Sequence, residues 1–145
     1  MSYADARVAI ETWFDAQWGG QTPVGKIDHD FTPTENSVRL TLIDGQALQR
    51  SFGKPGANKV QTAGTLKVQI YVAADAGRQA WEGYAQDIED AFLNRKLRAD
   101  GTEGANPVII FSRFGLTPYV SSNQVDPPFR VVTIDAPFVR EEAKA

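Results

Sequence analysis

His29 is the single histidine in 145 residues, and it lies between Asp28 and Asp30. An imidazole flanked by carboxylates could hold a divalent cation or act as a general base. A metal site would need further ligands spaced to converge on it, and nothing is spaced in that way. A Ser-His-Asp hydrolase would need a G-x-S-x-G turn to present its serine, and the chain has none. His29 therefore reads as a solvated loop residue, with a small hydrolase built on it as a rival. Gly53-Lys54 faintly follows a phosphate-binding loop, but Leu48 stands where the first glycine belongs and Pro55 replaces the Ser or Thr that would hold magnesium. Glu89-Asp90 and Glu141-Glu142 are adjacent pairs, and neighbours on a helix do not face one another. Without cysteine there is no thiol chemistry, disulfide or Cys-based zinc site. Trp13, Trp18 and Trp81 could stack on a base or sugar, but large aromatics at helical spacing are usually core. No catalytic residue, metal or cofactor is expected.

The remaining chemistry is charge. From Gly45 to Ala74 there is no Asp or Glu, while Arg50, Lys54, Lys59 and Lys67 all fall in that stretch. The net charge of -3 thus conceals a basic segment on an acidic body. The segment holds Gly53, Pro55, Gly56, Asn58 and Gly64 and reads as a flexible arm over about 45–64. As a protein contact, Arg50, Lys54, Lys59 and Lys67 would meet an acidic surface, with Phe52 as the buried anchor. As a nucleic-acid contact, the cations would neutralise phosphates and Phe52 would stack. As a plain loop, they would only solubilise it. Four cations in thirty residues are sparse for nucleic acid, and protein contact is the preferred reading. The complementary acidic surface is expected on a helix bearing Glu82, Asp87, Glu89 and Asp90.

The elements that must carry these surfaces follow from periodicity. Ala6, Ile10, Trp13, Phe14 and Gln17 recur at helical spacing and predict a helix from about Tyr3 to Trp18, ended by Gly19-Gly20. Thr22-Pro23-Val24 and the stretch to Pro33 read as extended edge pieces. Val38 to Leu42 alternates as a half-buried strand, and Asp44-Gly45 ends it or marks a bulge. Thr65 to Val72 is its hairpin partner. A second helix is expected from about Ala76 to Leu97, capped by Asp75, with Arg95, Lys96 and Arg98 at its C-terminal end. Short strands follow at Pro107–Arg113, Thr117–Ser121 and Phe129–Ile134, and a charged tail over about 139–145 is expected to fray. The whole predicts one α+β domain over residues 1–145: a mostly antiparallel β-sheet with a long β-hairpin, packed on one face by two α-helices. The opening residues lack a cationic start followed by an apolar run, so no secretory leader is expected. No apolar stretch approaches the ~20 residues of a membrane span.

Several strings in this order resemble the small tail terminator proteins of long-tailed bacteriophages and phage-like particles. They are the first helix followed by Thr22-Pro23-Val24, Phe31-Thr32-Pro33 before the strand Val38–Leu42, Ala63 to Val72 running into Gly77, and a helix ending Ile88-Glu89-Asp90-Ala91-Phe92. The resemblance covers roughly residues 4–97. It implies a non-enzymatic virion protein assembled in the host cytoplasm. Such a protein forms a ring, typically of six copies, on the head-proximal end of the tail tube. The ring stops tube polymerisation and joins the tail to the neck. The implied partners are other copies of the chain, the tail tube protein and a neck or head-tail connector protein. A contractile tail would add its sheath protein; DNA would be met only in transit, and no membrane is involved. Head-tail connectors, head completion proteins and small nucleic-acid-binding modules are the alternatives for a chain of this size.

Overall fold

In a computed structural model, which describes residues 3–49, 58–105 and 107–144, the chain is an α+β fold of two helices and a curled, mostly antiparallel sheet. Helix α1 spans Tyr3–Trp18 and buries Ala6, Ala9, Ile10, Trp13, Phe14 and Trp18. Gln17, expected on that stripe, is exposed, and Trp18 takes the inward position. The wide apolar stripe needs both polar indole groups satisfied. Trp13 Nε1–H donates to the Ala91 carbonyl at 2.8 Å, and Trp18 Nε1–H donates to Thr22 Oγ1 at 3.0 Å. Gly19 and Gly20 adopt φ of 65° and 74° and end the helix, as their type allows.

Strands β1 (Val24–Gly25), β2 (Ser37–Gln49) and β3 (Asn58–Ala73) follow. β1 runs parallel to β2, whereas β2 and β3 form an antiparallel hairpin. Both strands run well beyond their predicted limits. Much of the expected flexible connection is thus regular ladder, with a bulge between Asp44 and Ala47. At Gly45 a Cβ would come within 2.8 Å of the Ala63 carbonyl oxygen, so the bulge requires glycine there. Residues 50–57, the tip of the expected arm, lie outside the described residues.

Helix α2 spans Gln79–Phe92, shorter than expected at both ends. Arg78 rather than Asp75 occupies its N-cap, without a side-chain cap. Leu93 is extended and Asn94 adopts φ of 54°, which stops the helix. Arg95 to Leu97 are drawn to the sheet instead. Phe111 N–H donates to the Arg95 carbonyl and Val108 N–H to the Leu97 carbonyl. Lys96–Leu97 become β4, paired with β5 (Ile109–Phe111). Arg95 still reaches back to the helix end, donating to the Asp90 carbonyl at 3.2 Å.

A 3₁₀ turn at Arg113–Gly115 leads to β6 (Tyr119–Asp126), which turns at Pro127-Pro128, joined by a cis peptide bond, into β7 (Phe129–Lys144). β7 is the spine of the sheet. One edge pairs with β3 along its whole length, from Phe129↔Ala73 to Lys144↔Asn58. The other edge pairs first with β6 and then with β5. The tail expected to fray is therefore the far end of this strand, held against the start of β3. Pro137 is tolerated mid-strand because it sits at the changeover between β6, whose pairing ends at Asp135, and β5, whose pairing begins at Phe138. No ladder donor is required there.

Successive side chains of the sheet point to opposite faces. Val38 and Leu40, Leu66 to Val72 at every second position, and Val132, Ile134, Ala136 and Phe138 face the helices and are buried. Phe14, Phe92, Phe111 and Phe138 form a chain of ring contacts, with centroids 6.0, 4.9 and 5.5 Å apart, that crosses from α1 through α2 to β5 and β7. Phe138 lies over its cross-strand partner Gly64, where a Cβ would sit 2.6 Å from the ring and 3.1 Å from the Ile43 carbonyl oxygen. Gly64→Ala is expected to cost ~1–3 kcal/mol through overpacking. Chemical denaturation would show this as a lower midpoint with an unchanged slope.

Candidate interaction surfaces

The acidic residues singled out by type all lie on α2 away from the core, which takes Trp81, Ala85, Ile88, Ala91 and Phe92. A 3.6-residue period places Glu82 and Glu89 along one flank and Asp87 on the other, with Asp90 between them. Glu82, Asp87 and Asp90 are exposed, and Glu89 is half-buried. Glu82 pairs with Arg78 at 3.3 Å, one turn earlier. Asp90 accepts from Gln86 at 2.9 Å. On the Asp87 flank, Asp87, Asp90 and Arg95 border a shallow niche with Gln17 of α1 and Gln21 just beyond it. Burial, reinforced by the neighbouring Asp90 charge, raises the Glu89 carboxyl above the usual range. These four carboxylates make α2 an acidic ridge rather than a binding cleft.

The basic set is less uniform. Arg50, Phe52 and Lys54 lie outside the described residues. Lys59 stands near the start of β3, opposite Ala143. Lys67 does not belong to the arm. It lies in the middle of β3 on the helix-free face, and its ammonium donates to both oxygens of Asp135 at 3.0 and 3.1 Å. Its charge is thereby spent inside its own sheet, directly across the β3–β7 ladder.

The Lys67–Asp135 pair is the centre of a polar network that residue type alone did not reveal. Asp135 is buried, and it also accepts from Ser121 Oγ at 3.0 Å and from Tyr119 OH at 3.5 Å. Ser121 lies in the bulge between Val120 and Ser122 of β6. The network therefore fastens β6 to the spine strand, and its geometry is that of an anchor. Farther along the same face, Gln69, Tyr71, Gln124 and Thr133 line an open polar groove of about 340 Å³. Arg140, buried on β7 between Thr62 and Ile109, was likewise not singled out by its type. Its only advance signal was an arginine within an alternating apolar run.

His29 is exposed in a turn whose Asp28 adopts φ of 57°, and Asp28 and Asp30 are exposed too. Among the described residues, no group of three His, Asp or Glu side chains gathers as a metal site would require. Nor is any helix among them long and apolar enough to cross a membrane.

No known family profile matches the chain. No curated protein matches it by sequence. Among solved structures, one whose designation describes no function superposes over 100% of this chain and 99% of its own. Its TM-score is 0.68 and its sequence identity 16%. The helices, the long hairpin and the spine strand thus form a fold that another protein adopts from end to end, at an identity that speaks to the fold alone.

Proposed function

We propose that this chain is a structural, non-enzymatic virion protein of the tail terminator kind. Copies of it form a ring of about six subunits on the head-proximal end of a phage tail tube, stop tube growth and receive the neck. The observation that supports this reading is the separation of charge along the chain. Glu82, Asp87, Glu89 and Asp90 line the side of α2 away from the core, whereas the stretch from Gly45 to Ala74, which includes the end of β2 and all of β3, holds no acidic residue. Segments of opposite sign suit a heterologous contact, which closes into a ring when the rotation between copies allows. The resemblance in residues 4–97 supplies the identity of the ring. Its partners in this reading are further copies of itself, the tube protein and a neck or connector protein.

Native mass across concentration, alone and with the tube protein, tests this. A closed ring of about six copies is expected, on the tube if not free. A strict monomer that ignores the tube would sink the reading. The variant Arg50→Ala/Lys54→Ala/Lys59→Ala is expected to weaken ring formation on the tube at least ~10-fold, with the effect shrinking as salt rises. Steep, salt-dependent DNA binding lost in the same variant would instead favour a nucleic-acid module.

A further inference from the structure

The sheet has two edges that nothing among the described residues covers. β1 pairs only with Val38 and Arg39, so the rest of β2, residues 40–49, presents an open edge. β6 pairs with β7 alone, so its outer edge, Tyr119–Asp126, is open as well. Open strand edges carry unmet backbone donors and acceptors, and proteins usually blunt them with charge or cover. Here the edges are instead marked by exposed apolar side chains. Ile43 on β2 is 46% exposed, and Tyr119 and Val125 on β6 are each 50% exposed. An apolar hollow of about 320 Å³, bordered by Ile43, Ala63, Leu116, Pro137 and Val139, adjoins the β2 edge.

Resting on the ring reading above, we propose that β6 of one copy pairs antiparallel with the open stretch of β2 in the next copy, so that the ring closes through a continuous β-sheet. Direction permits this. β2, β3, β7 and β6 alternate, so β6 runs opposite to β2, and a rotated copy presents its β2 antiparallel to β6. Level permits it too. Traced across the ladders, Tyr119 stands level with Thr41 and Asn123 with Val38, whereas the open stretch of β2 centres near Asp44 and Gly45. The offset is about six residues, or ~20 Å at ~3.3 Å each, against ~19 Å for four strands ~4.8 Å apart. Their ratio is a strand tilt of about 45°, at the upper end of the ~35–45° usual in closed barrels. A flat or strongly sheared junction would not have met that condition.

Two sets of variants test the proposal in the full chain, by native mass with the tube protein. Ile43→Lys and Val125→Lys place a charge on each open edge at exposed positions. Each is expected to keep the thermal midpoint within a few degrees and to reduce the ring at least ~10-fold. The chain has no cysteine, so pairs can also be introduced cleanly. Ile43→Cys combined with Gln124→Cys, the residue that the six-residue offset sets opposite it, or with the neighbouring Val125→Cys, should give an oxidised ladder of covalent multimers in at least one of the two registers, whereas Ile43→Cys with Tyr119→Cys, an offset of only two residues, should give none. The single cysteine variants should give none. Intact rings in both lysine variants with no ladder in any register would overturn edge pairing and leave the ring reading standing. A wild-type chain that never forms a ring, with or without the tube, would overturn both. If a lysine variant fails to fold, the cysteine pairs alone decide.

Discussion

Phe92→Ala should lower the stability of the isolated subunit by ~3–5 kcal/mol, the range for truncating a fully buried aromatic ring. Phe92 has no exposed surface and closes α2 onto the rest of the core. Its ring lies 6.0 Å from Phe14 and 4.9 Å from Phe111, so it bridges α1 and β5. Removing it opens a cavity among side chains that belong to three elements, and none of them can collapse inward without the others. For a domain of this size the loss corresponds to a fall of roughly 10–20 °C in the thermal midpoint. Leu93→Ala, one residue later and 41% exposed, is expected to change stability by less than ~1 kcal/mol. Calorimetry on the two variants checks the contrast. Equal effects would show that the ring chain is not the junction described.

Asp135→Ala should cost ~2–3 kcal/mol, although it removes only a short side chain. Lys67 and Tyr119 lose their acceptor, and Ser121 keeps only the Thr133 carbonyl, at 3.3 Å. The penalty comes mainly from leaving the half-buried Lys67 ammonium unpaired. It stays below that of a fully buried pair because the Lys67 side chain is 34% exposed and keeps some water. A double-mutant cycle with Lys67→Met separates pairing from packing. A coupling of ~1–2 kcal/mol is expected, together with recovery of part of the loss when both charges are gone. Hydrogen exchange in Asp135→Ala should quicken first along β6, since Tyr119 loses its side-chain bond to the spine and Ser121 keeps only the one to the Thr133 carbonyl. Additive single effects with unchanged β6 protection would refute the anchor.

Much of the fold is legible without coordinates. The apolar positions of α1, the stripe on α2 from Trp81 to Phe92, and the alternation in Val38–Leu42 and Leu66–Val72 each follow one period, and each forms the element that period dictates. The differences have separate causes. Arg95, Lys96 and Arg98 suit a helix C-terminus and locally favour a second helix as far as Leu97. Pairing of residues 95–97 with β5 and the left-handed Asn94 outweighed that local preference. The local pattern predicts a strand over Phe129–Ile134, whereas β7 runs on to Lys144. Pro137 is accommodated only because two different partners meet at that point on the β7 edge. Lys67 shares an acid-free stretch with the cations of the arm, whereas its partner Asp135 is 68 residues away in the chain.

The α+β class, the two helices, the hairpin and the opposite charges of separate segments follow from local pattern, because they depend on residues within a few positions of one another. That the last strand is the spine, that Lys67 and Asp135 neutralise each other, and that β2 and β6 are left as open edges follows only from how the strands assemble. Those outcomes depend on register between strands remote in the chain, and register is set by how the whole apolar face packs on α1 and α2 rather than by any local pattern.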